Sequence, residues 1–383
     1  MRKISCMCSF VLLALFTGCS HSVPPNSIIP TSITLPIEAI ESNGYIIDQA
    51  LKDNKIDLLE KAIDNIIAQT QVIGVSVAVG IPNNGLWYGT RGLTGNRKTT
   101  KITPDLKFCA GSISKIFTAV VVLSLEEEGR LRLESSIDKW LPEMHYAAHI
   151  TINHLLTHTS GIATFDSVKE YEANKFRYRN PEEVLSYLKN KELLFDPGEH
   201  FAYSNIGYLM LGIIIEKVTG KSYEEAVKLY IIDKINLKET DVMTTQILKY
   251  LVVRGHHHGE VLTETENYPI PFASGSIIAS PRDLVQFFQA LMNGKLLSST
   301  SMSKMFSDMN IMTKTQSTYY GKGIVVATKT PIGDIVGHRG GIKGFGAALY
   351  YHPKENLFIS VMMNDDAKSP DPAVFRLMEV MME

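Results

Sequence analysis

Two residues of the chain combine a nucleophile and a base in an apolar setting. Ser112 and Lys115 are three residues apart, at the start of an apolar run over residues 113–123. As a helix, this run would be apolar almost all round, which predicts that the helix is buried. Because burial disfavours a charged amine, Lys115 is expected to be a neutral base beside the Ser112 hydroxyl, at a helix N-terminus that favours developing negative charge. A serine N-cap followed by a lysine that reaches solvent explains the motif equally well, so the motif alone leaves both interpretations open.

A second polar pair follows the turn at Pro197-Gly198. Tyr203 and Asn205 are two residues apart in a loop, and an apolar helix begins after the asparagine. Side chains at this spacing would point the same way, offering a phenol for proton transfer and an amide to hold a substrate carbonyl. Taken alone, the pair is more simply a tyrosine and an N-cap in a loop.

Glycines are concentrated in a third segment, residues 337–345, which has the sequence Gly-His-Arg-Gly-Gly-Ile-Lys-Gly-Phe and leads into a predicted hairpin. Glycine in a strand lets another group approach the backbone closely. An oxyanion could therefore accept N–H bonds here, with His338 as a polar wall. A glycine-rich turn with an exposed histidine is the alternative for this segment by itself.

In this order and at these distances, the motifs Ser112-x-x-Lys115, Tyr203-x-Asn205 and His338-x-Gly340 resemble the three signatures of the serine β-lactamase and penicillin-binding protein superfamily. The branch they resemble is the class C β-lactamase and D-alanyl-D-alanine carboxypeptidase family, which also holds esterases and D-aminopeptidases. The stretches 154–162 and 273–284 are similar to further hallmarks of that family. The resemblance spans roughly residues 56–383.

The resemblance implies a serine hydrolase that works through an acyl-enzyme. Ser112 would attack a carbonyl carbon, and Lys115 would take its proton directly or through Tyr203, which would pass a proton to the leaving group. Asn205 would hold the acyl side chain. The backbone N–H groups of Ser112 and Gly341 would form the oxyanion hole.

The third motif departs from the pattern of class C β-lactamases, which usually carry Lys-Thr-Gly where this chain has His338-Arg339-Gly340. With histidine at that position, the third motif is similar to that of the carboxypeptidase and esterase members. The resemblance therefore favours an esterase or a penicillin-binding D-alanyl-D-alanine carboxypeptidase; a class C-like β-lactamase and a non-catalytic lipoprotein that binds cell-wall peptides are the alternatives. Arg339, with Gly340, or the nearby Lys343 is expected to bind a substrate carboxylate. An outward-facing arginine is weighed equally.

The elements that must position these motifs follow from periodicity. Apolar residues at helical spacing over 56–67 are followed by strands at 75–81 and from Leu86, separated by a turn at Pro82–Gly85. Strands at 345–351 and 357–363 precede a closing helix, with Asp371 as its N-cap and Pro372 at its first position. We predict an α/β (α+β) fold over residues 53–383: an antiparallel sheet flanked by helices, with an inserted helical subdomain at roughly 124–275.

The N-terminus predicts export. Arg2 and Lys3 precede an apolar run at residues 4–16, which is shorter than the about 20 residues of a membrane-spanning helix. Its end, Leu-Phe-Thr-Gly-Cys, resembles a bacterial lipoprotein signal, which implies removal of residues 1–18 and acylation of Cys19. A plain secretory signal cut nearby is the alternative. Residues 19–52, rich in proline, predict a flexible tether, so we expect a membrane-anchored lipoprotein facing the periplasm or the cell exterior.

Composition excludes several other classes. The chain has 383 residues, a net charge of −2 and 45% hydrophobic residues, as ordinary globular proteins do, and no block of like charge suggests nucleic-acid binding. No cofactor is expected. The pair His154 and His158 has helical zinc spacing but lacks the glutamate of a metalloprotease helix, and the run His256–His258 lies in a loop, so no metal is expected either. The predicted partner is a small-molecule or peptide substrate.

Overall fold

The structure is a computed structural model, and it describes residues 53–81, 85–95, 100–164, 180–262, 271–313 and 317–383. The predicted signal peptide, the acylated Cys19 and the tether lie outside the described residues. So does most of the predicted turn at Pro82–Gly85. Within the described ranges, no helix is both long and apolar enough to cross a membrane.

The centre of the fold is an eight-stranded antiparallel sheet with the strand order β2-β1-β13-β12-β11-β10-β9-β8. Its strands are β1 (Gly74–Ile81), β2 (Gly85–Gly92), β8 (Asn310–Ile311), β9 (Thr318–Tyr320), β10 (Val325–Thr330), β11 (Gly333–Ile342), β12 (Phe345–His352) and β13 (Leu357–Met363). The first strand pairs with the last, with Val77 opposite Val361. The N- and C-terminal segments therefore complete one sheet, and the β12–β13 hairpin confirms the prediction for this part of the chain.

Helices cover both faces of the sheet, which explains why its central strands are buried along nearly their whole length. On one face, Val77 and Val79 pack with Leu59 of the first helix and Leu377 of the last. On the other, Ala78 belongs to the larger core. Because side chains alternate along a strand, adjacent residues serve different layers. The antiparallel sheet flanked by helices confirms the predicted fold class.

Most of the helices lie between residues 109 and 310 of the chain, and their predicted grouping as a subdomain at roughly 124–275 stays a prediction. The α-helices are α1 (Asp53–Thr70), α2 (Ser114–Glu127), α3 (Ile152–Leu156), α4 (Pro181–Ser186), α5 (Asn205–Thr219), α6 (Tyr223–Val227), α7 (Thr245–Tyr250), α8 (Pro281–Met292), α9 (Ser299–Met305) and α10 (Asp371–Met382). A small sheet consists of β3 (Phe108–Cys109), β7 (Ile277–Ala279) and β4 (Thr240–Val242), and β5 (His256–His257) pairs with β6 (Glu260–Val261).

The start of the closing helix differs from its prediction. Pro370 is the N-cap of α10, and Asp371 is the first helical residue, with no side-chain cap bond at this end. The Asp371 carboxylate instead accepts hydrogen bonds from Ser369 Oγ, at 3.1 Å, and Tyr350 OH, at 3.4 Å, and faces the guanidinium of Arg339. The carboxylate of an N-cap aspartate accepts N–H groups of its own helix, whereas the Asp371 carboxylate contacts the side chains of Arg339 on β11 and Tyr350 on β12.

Candidate active site

Ser112 lies in a single 3₁₀ turn, Gly111–Ile113, between strand β3 and helix α2. Ile277 of β7 holds this turn on both sides: its carbonyl accepts the Ala110 N–H at 2.8 Å, and its own N–H donates to Ser114 Oγ at 2.8 Å. Helix α2 is buried from Ser114 to Leu125, as its apolar sequence predicts. The serine therefore sits at the head of a rigid, buried helix with only 8% of its surface exposed.

Lys115 is fully buried, and its amine has three polar neighbours. Nζ lies 3.0 Å from Ser112 Oγ, 2.8 Å from Asn205 Oδ1 and 2.7 Å from the Ser274 carbonyl oxygen. None of the three is a carboxylate, and burial lowers the pKa of Lys115 well below its ordinary value. The interpretation in which this lysine reaches solvent is therefore wrong, and burial favours the neutral form of the amine beside the serine.

The second motif joins this pair from a loop and a helix end. Asn205 is the first residue of α5, with Ser204 as its N-cap, so the asparagine is not the N-cap that the simpler interpretation assumed. Its amide oxygen contacts Lys115 Nζ. Tyr203 precedes the helix; its phenol oxygen is buried, and its ring centroid lies 4.9 Å from the same Nζ. Burial raises the pKa of Tyr203, with the Ser112 hydroxyl opposing the shift, so the phenol keeps its proton.

His338 lies on β11 and is buried, which excludes the exposed histidine of the alternative interpretation. Burial, with a smaller effect from Lys115, lowers the pKa of His338 to about 3, so its ring is neutral. Nδ1 lies 2.5 Å from the Arg339 carbonyl oxygen, which can only accept, so Nδ1 carries the proton. Nε2 is then an acceptor, and the hydroxyl of Tyr320 donates to it at 3.3 Å.

The glycines of the third motif let two backbones meet. Strand β10 pairs with β11 only as far as Gly337, so residues 338–342 have β12 as their only strand neighbour within the described ranges. The other edge of this segment faces the serine turn. A Cβ on Gly340 would lie 1.9 Å from the Ala110 carbonyl oxygen, and one on Gly111, where φ is +53°, would lie 2.7 Å from the Gly341 nitrogen. Only glycine fits at positions 111 and 340.

Arg339 points to the layer opposite His338, as alternation along β11 requires. One guanidinium nitrogen lies 3.6 Å from the Asp371 carboxylate, and the side chains of Arg339 and Asp371 are 18% and 4% exposed. The outward-facing arginine is therefore wrong. A contact between Arg339 and a substrate carboxylate stays a prediction, because it would have to compete with Asp371. Lys343 lies in the β11–β12 turn and is partly buried.

Three contributors were not found from the sequence. The Ser274 carbonyl oxygen contacts Lys115 from the stretch 273–284, which had been noted only as a family hallmark. Tyr320 carries no local signal. His158 belongs to the hallmark stretch 154–162 and has metal-like spacing from His154, but no local signal places its ring centroid 4.3 Å from that of Tyr203. In the part of the chain that the structure describes, no group of three or more His, Cys, Asp or Glu residues could hold a metal ion.

An antiparallel sheet covered by helices, with a buried Ser-x-x-Lys pair at the head of a core helix, defines the architecture of serine β-lactamases and penicillin-binding proteins. The chain belongs to the Beta-lactamase family, whose model matches residues 59–379. This confirms the superfamily that the three motifs resemble.

Individual relatives are distant but cover most of the chain. Penicillin-binding protein 4* of Bacillus subtilis (strain 168) is 27% identical over 333 residues, covering 81% of this chain and 72% of its own length. A D-amino acid amidase from Ochrobactrum anthropi SV3, solved with L-phenylalanine amide, superposes with a TM-score of 0.76 at 23% identity, covering 86% of this chain and 99% of its own.

A class C beta-lactamase has a TM-score of 0.72 at 20% identity and covers 88% of this chain and 99% of its own. At these identities the two solved structures establish the fold alone. The chain spans 54% and 59% of the length of two further curated relatives.

Proposed function

We propose that the protein is a serine hydrolase that forms an acyl-enzyme on Ser112 with amide or ester substrates. The observation that carries the proposal is the environment of Lys115: a fully buried amine, 3.0 Å from the serine oxygen, whose other two polar neighbours are carbonyl-type acceptors. Membership of the Beta-lactamase family agrees with this chemistry.

The hydrogen-bond count at Lys115 supports its role as the base. A neutral amine has two N–H groups and one lone pair. Asn205 Oδ1 and the Ser274 carbonyl accept the two protons, which leaves the lone pair for the Ser112 hydroxyl. After proton transfer, the ammonium has three protons for the same three neighbours. Both states are satisfied without rearrangement, and such preorganisation is what a general base needs.

The remaining steps use Tyr203 and two backbone amides. The phenol of Tyr203, protonated in the resting site, would pass a proton to the leaving group. The N–H groups of Ser112 and Gly341 would hold the oxyanion, and the close approach of the Gly111 and Gly341 backbones supports this pairing. Each such donor usually contributes a few kcal/mol to transition-state stabilisation. Asn205 would hold the acyl side chain as well as Lys115. Water would then release the acyl group.

For the substrate, we propose an amide or ester of the D-amino acid type, with a D-alanyl-D-alanine carboxypeptidase or an esterase as the closest description. The support is the neutral His338 in place of a lysine, together with relatives that include a penicillin-binding protein and a D-amino acid amidase. Penicillin would acylate Ser112 slowly. A class C-like β-lactamase, a class whose fold the chain shares, is the alternative.

The non-catalytic module that binds cell-wall peptides is disfavoured because Ser112, Lys115 and Tyr203 are all retained and Nζ still contacts the serine oxygen.

We also propose export and acylation at Cys19. Metabolic labelling with a fatty acid, in the chain and in Cys19→Ser, tests this: label that persists in the variant would contradict it.

Intact-protein mass spectrometry of the full chain tests the activity. Fluorescent penicillin, a p-nitrophenyl ester and D-phenylalanine amide are offered to the wild type, to Ser112→Ala and to Ser124→Ala. Ser124 is a matched control because it lies on the same helix and its buried hydroxyl has no hydrogen-bond partner among the described residues. We expect an adduct in the wild type and in Ser124→Ala that is absent from Ser112→Ala. No adduct with any probe, or an adduct that persists in Ser112→Ala, would refute the acyl-serine mechanism.

Adduct lifetime and substrate choice then separate the candidates. A long-lived penicillin adduct is expected of a penicillin-binding carboxypeptidase, and rapid turnover of penicillin would favour the β-lactamase alternative. A D-Ala-D-Ala peptide compared with its C-terminal amide tests the carboxylate contact. If Arg339→Ala leaves the ratio of the two rates unchanged, Arg339 does not bind a substrate carboxylate.

A further inference from the structure

His158 holds an unusual backbone conformation next to the proposed proton donor. It is a non-glycine residue with a φ of +57°, and its side chain is buried. Left-handed conformations of non-glycine residues carry a conformational cost and persist only where the surrounding contacts enforce them. The hydrogen bonds of this residue go to the loop that carries Tyr203, and its ring also packs against those of Tyr208 and Tyr320.

Both residues that flank Tyr203 donate their backbone N–H to His158. The Ala202 N–H donates to the His158 carbonyl oxygen at 2.9 Å. The Ser204 N–H donates to Nδ1 of the His158 ring at 3.1 Å. The backbone carbonyl and the imidazole of one residue thus hold the peptide on either side of the tyrosine. The imidazole itself packs against the Tyr203 ring, with 4.3 Å between centroids and a tilt of 39°.

The tautomer of this histidine is determined by the same contact. Nδ1 can accept the Ser204 N–H only if it carries no proton, so the proton of the neutral ring is on Nε2. Burial, then the nearby Lys115 and His338, lower the pKa of His158 well below its ordinary value. Nε2 is buried and has no hydrogen-bond partner among the described residues.

We propose that His158 is the positioning residue for Tyr203: its carbonyl oxygen and its Nδ1 hold Ala202 and Ser204 so that the phenol stays over Ser112 and Lys115. This inference rests on the proposed function, because it assigns to Tyr203 the proton transfer of that reaction. His158 touches no reacting atom and acts only through the tyrosine.

Two substitutions separate the contact from the backbone strain. His158→Gly removes the imidazole and its acceptor but accepts the left-handed φ and keeps the carbonyl. His158→Asn also tolerates that φ, and its Oδ1 stands close to where Nδ1 was, so it can accept the Ser204 N–H. His154→Asn is the matched control, since His154 Nδ1 accepts a backbone N–H from Thr151 at a helix cap.

The rate of acylation by D-phenylalanine amide is measured for these variants alone and combined with Tyr203→Phe, because the nitrogen that leaves from an amide must take a proton as it departs. We expect His158→Gly to be slower by about 10- to 100-fold, because small displacements of a catalytic group have effects of this size. His158→Asn should recover most of the rate, and His154→Asn should not change it. In the Tyr203→Phe background, adding His158→Gly should lower the acylation rate by less than about threefold, because the effects of coupled residues are not additive. The inference would be overturned if the double variant lost the full product of the two single effects on the acylation rate. It would also be overturned if His158→Gly acylated at the wild-type rate.

Amide hydrogen exchange of residues 201–205 provides a readout that needs no turnover. We expect faster exchange in His158→Gly than in His158→Asn or the wild type, and equal protection in all three would overturn the inference. If the wild type itself forms no adduct, the proposed function fails, whereas hydrogen exchange still decides whether His158 holds the loop.

Discussion

Replacing Gly340 by alanine should separate the two backbones that form the proposed oxyanion hole. The new Cβ would lie 1.9 Å from the Ala110 carbonyl oxygen, whereas ordinary contacts begin at 3.4 Å, so the strand edge and the serine turn must move apart by about 1.5 Å. The oxygen is a backbone atom, and no change of rotamer can relieve the overlap. Overpacking of this kind costs about 1–3 kcal/mol of stability. A misplacement of about 1 Å at a reacting centre lowers the rate by roughly 100-fold.

Gly207→Ala on α5 is the matched control, because a Cβ there would make only ordinary contacts, the shortest 3.4 Å to the Leu155 carbonyl oxygen. Acylation by a p-nitrophenyl ester, followed by stopped flow, and urea unfolding are measured for both variants. Gly340→Ala should be about 100-fold slower and less stable, and Gly207→Ala should stay within a few-fold of the wild type. A Gly340→Ala enzyme that acylates at a third of the wild-type rate or more would refute the reasoning. Equal damage in both variants would refute it as well.

Three further perturbations test the electrostatics of the site. Because burial lowers the pKa of Lys115, the acylation rate should rise with pH through that lowered value and then level off. The variant Lys115→Arg, which stays charged, should acylate at least about 100-fold more slowly. An arginine variant that acylates fast would contradict a neutral base. The pKa of His338 is lowered to about 3, so its contribution to stability is complete above about pH 6.5 and is lost as the pH falls towards 3, by at most about 1.4 kcal/mol per pH unit. Urea unfolding over this range should become less pH-dependent in His338→Gln but not in the exposed control His149→Gln, and equal slopes would contradict the assignment. Arg339→Ala should lower the free energy of unfolding by about 3 kcal/mol, because it leaves the buried Asp371 carboxylate without its ion pair. Adding Asp371→Asn should recover most of this loss. An unchanged urea midpoint in the single variant would show that the pair contributes nothing to stability.

Local patterns were sufficient for the fold class and for the serine–lysine pair. A lysine in an otherwise apolar helix is a strong anomaly, and the three-residue spacing places it beside Ser112 whatever the rest of the chain does. The strands at 75–81 and 357–363 are visible as short apolar runs, and both are buried because helices cover each face of the sheet. These features depend on residues that are close in sequence or on simple periodicity.

Contacts between distant segments could not be predicted. The Ser274 carbonyl contacts Lys115 across 159 residues, and the bond from Ser204 to His158 spans 46. Asp371 was assigned to its own helix because an aspartate before a proline is a common N-cap, and only the packing of α10 on the sheet brings Arg339 to its carboxylate. Such pairings follow from how strands and helices are arranged in space, and no local signal carries them.

The resting charges of the site explain why a histidine can occupy the third motif. Burial lowers the pKa of Lys115 and of His338 and raises that of Tyr203, so it favours the uncharged form of all three side chains before reaction. In the proposed reaction the proton of Ser112 moves to Lys115, and the new ammonium then meets no neighbouring cation at position 338, where a charged lysine would oppose it. The negative charge that develops on the substrate must then be held by backbone N–H groups, which are fixed dipoles and need no counter-ion. The close approach of Ala110 and Gly340 brings the serine turn and strand β11 together, and with them the N–H groups of Ser112 and Gly341, whose dipoles act only over hydrogen-bond distances.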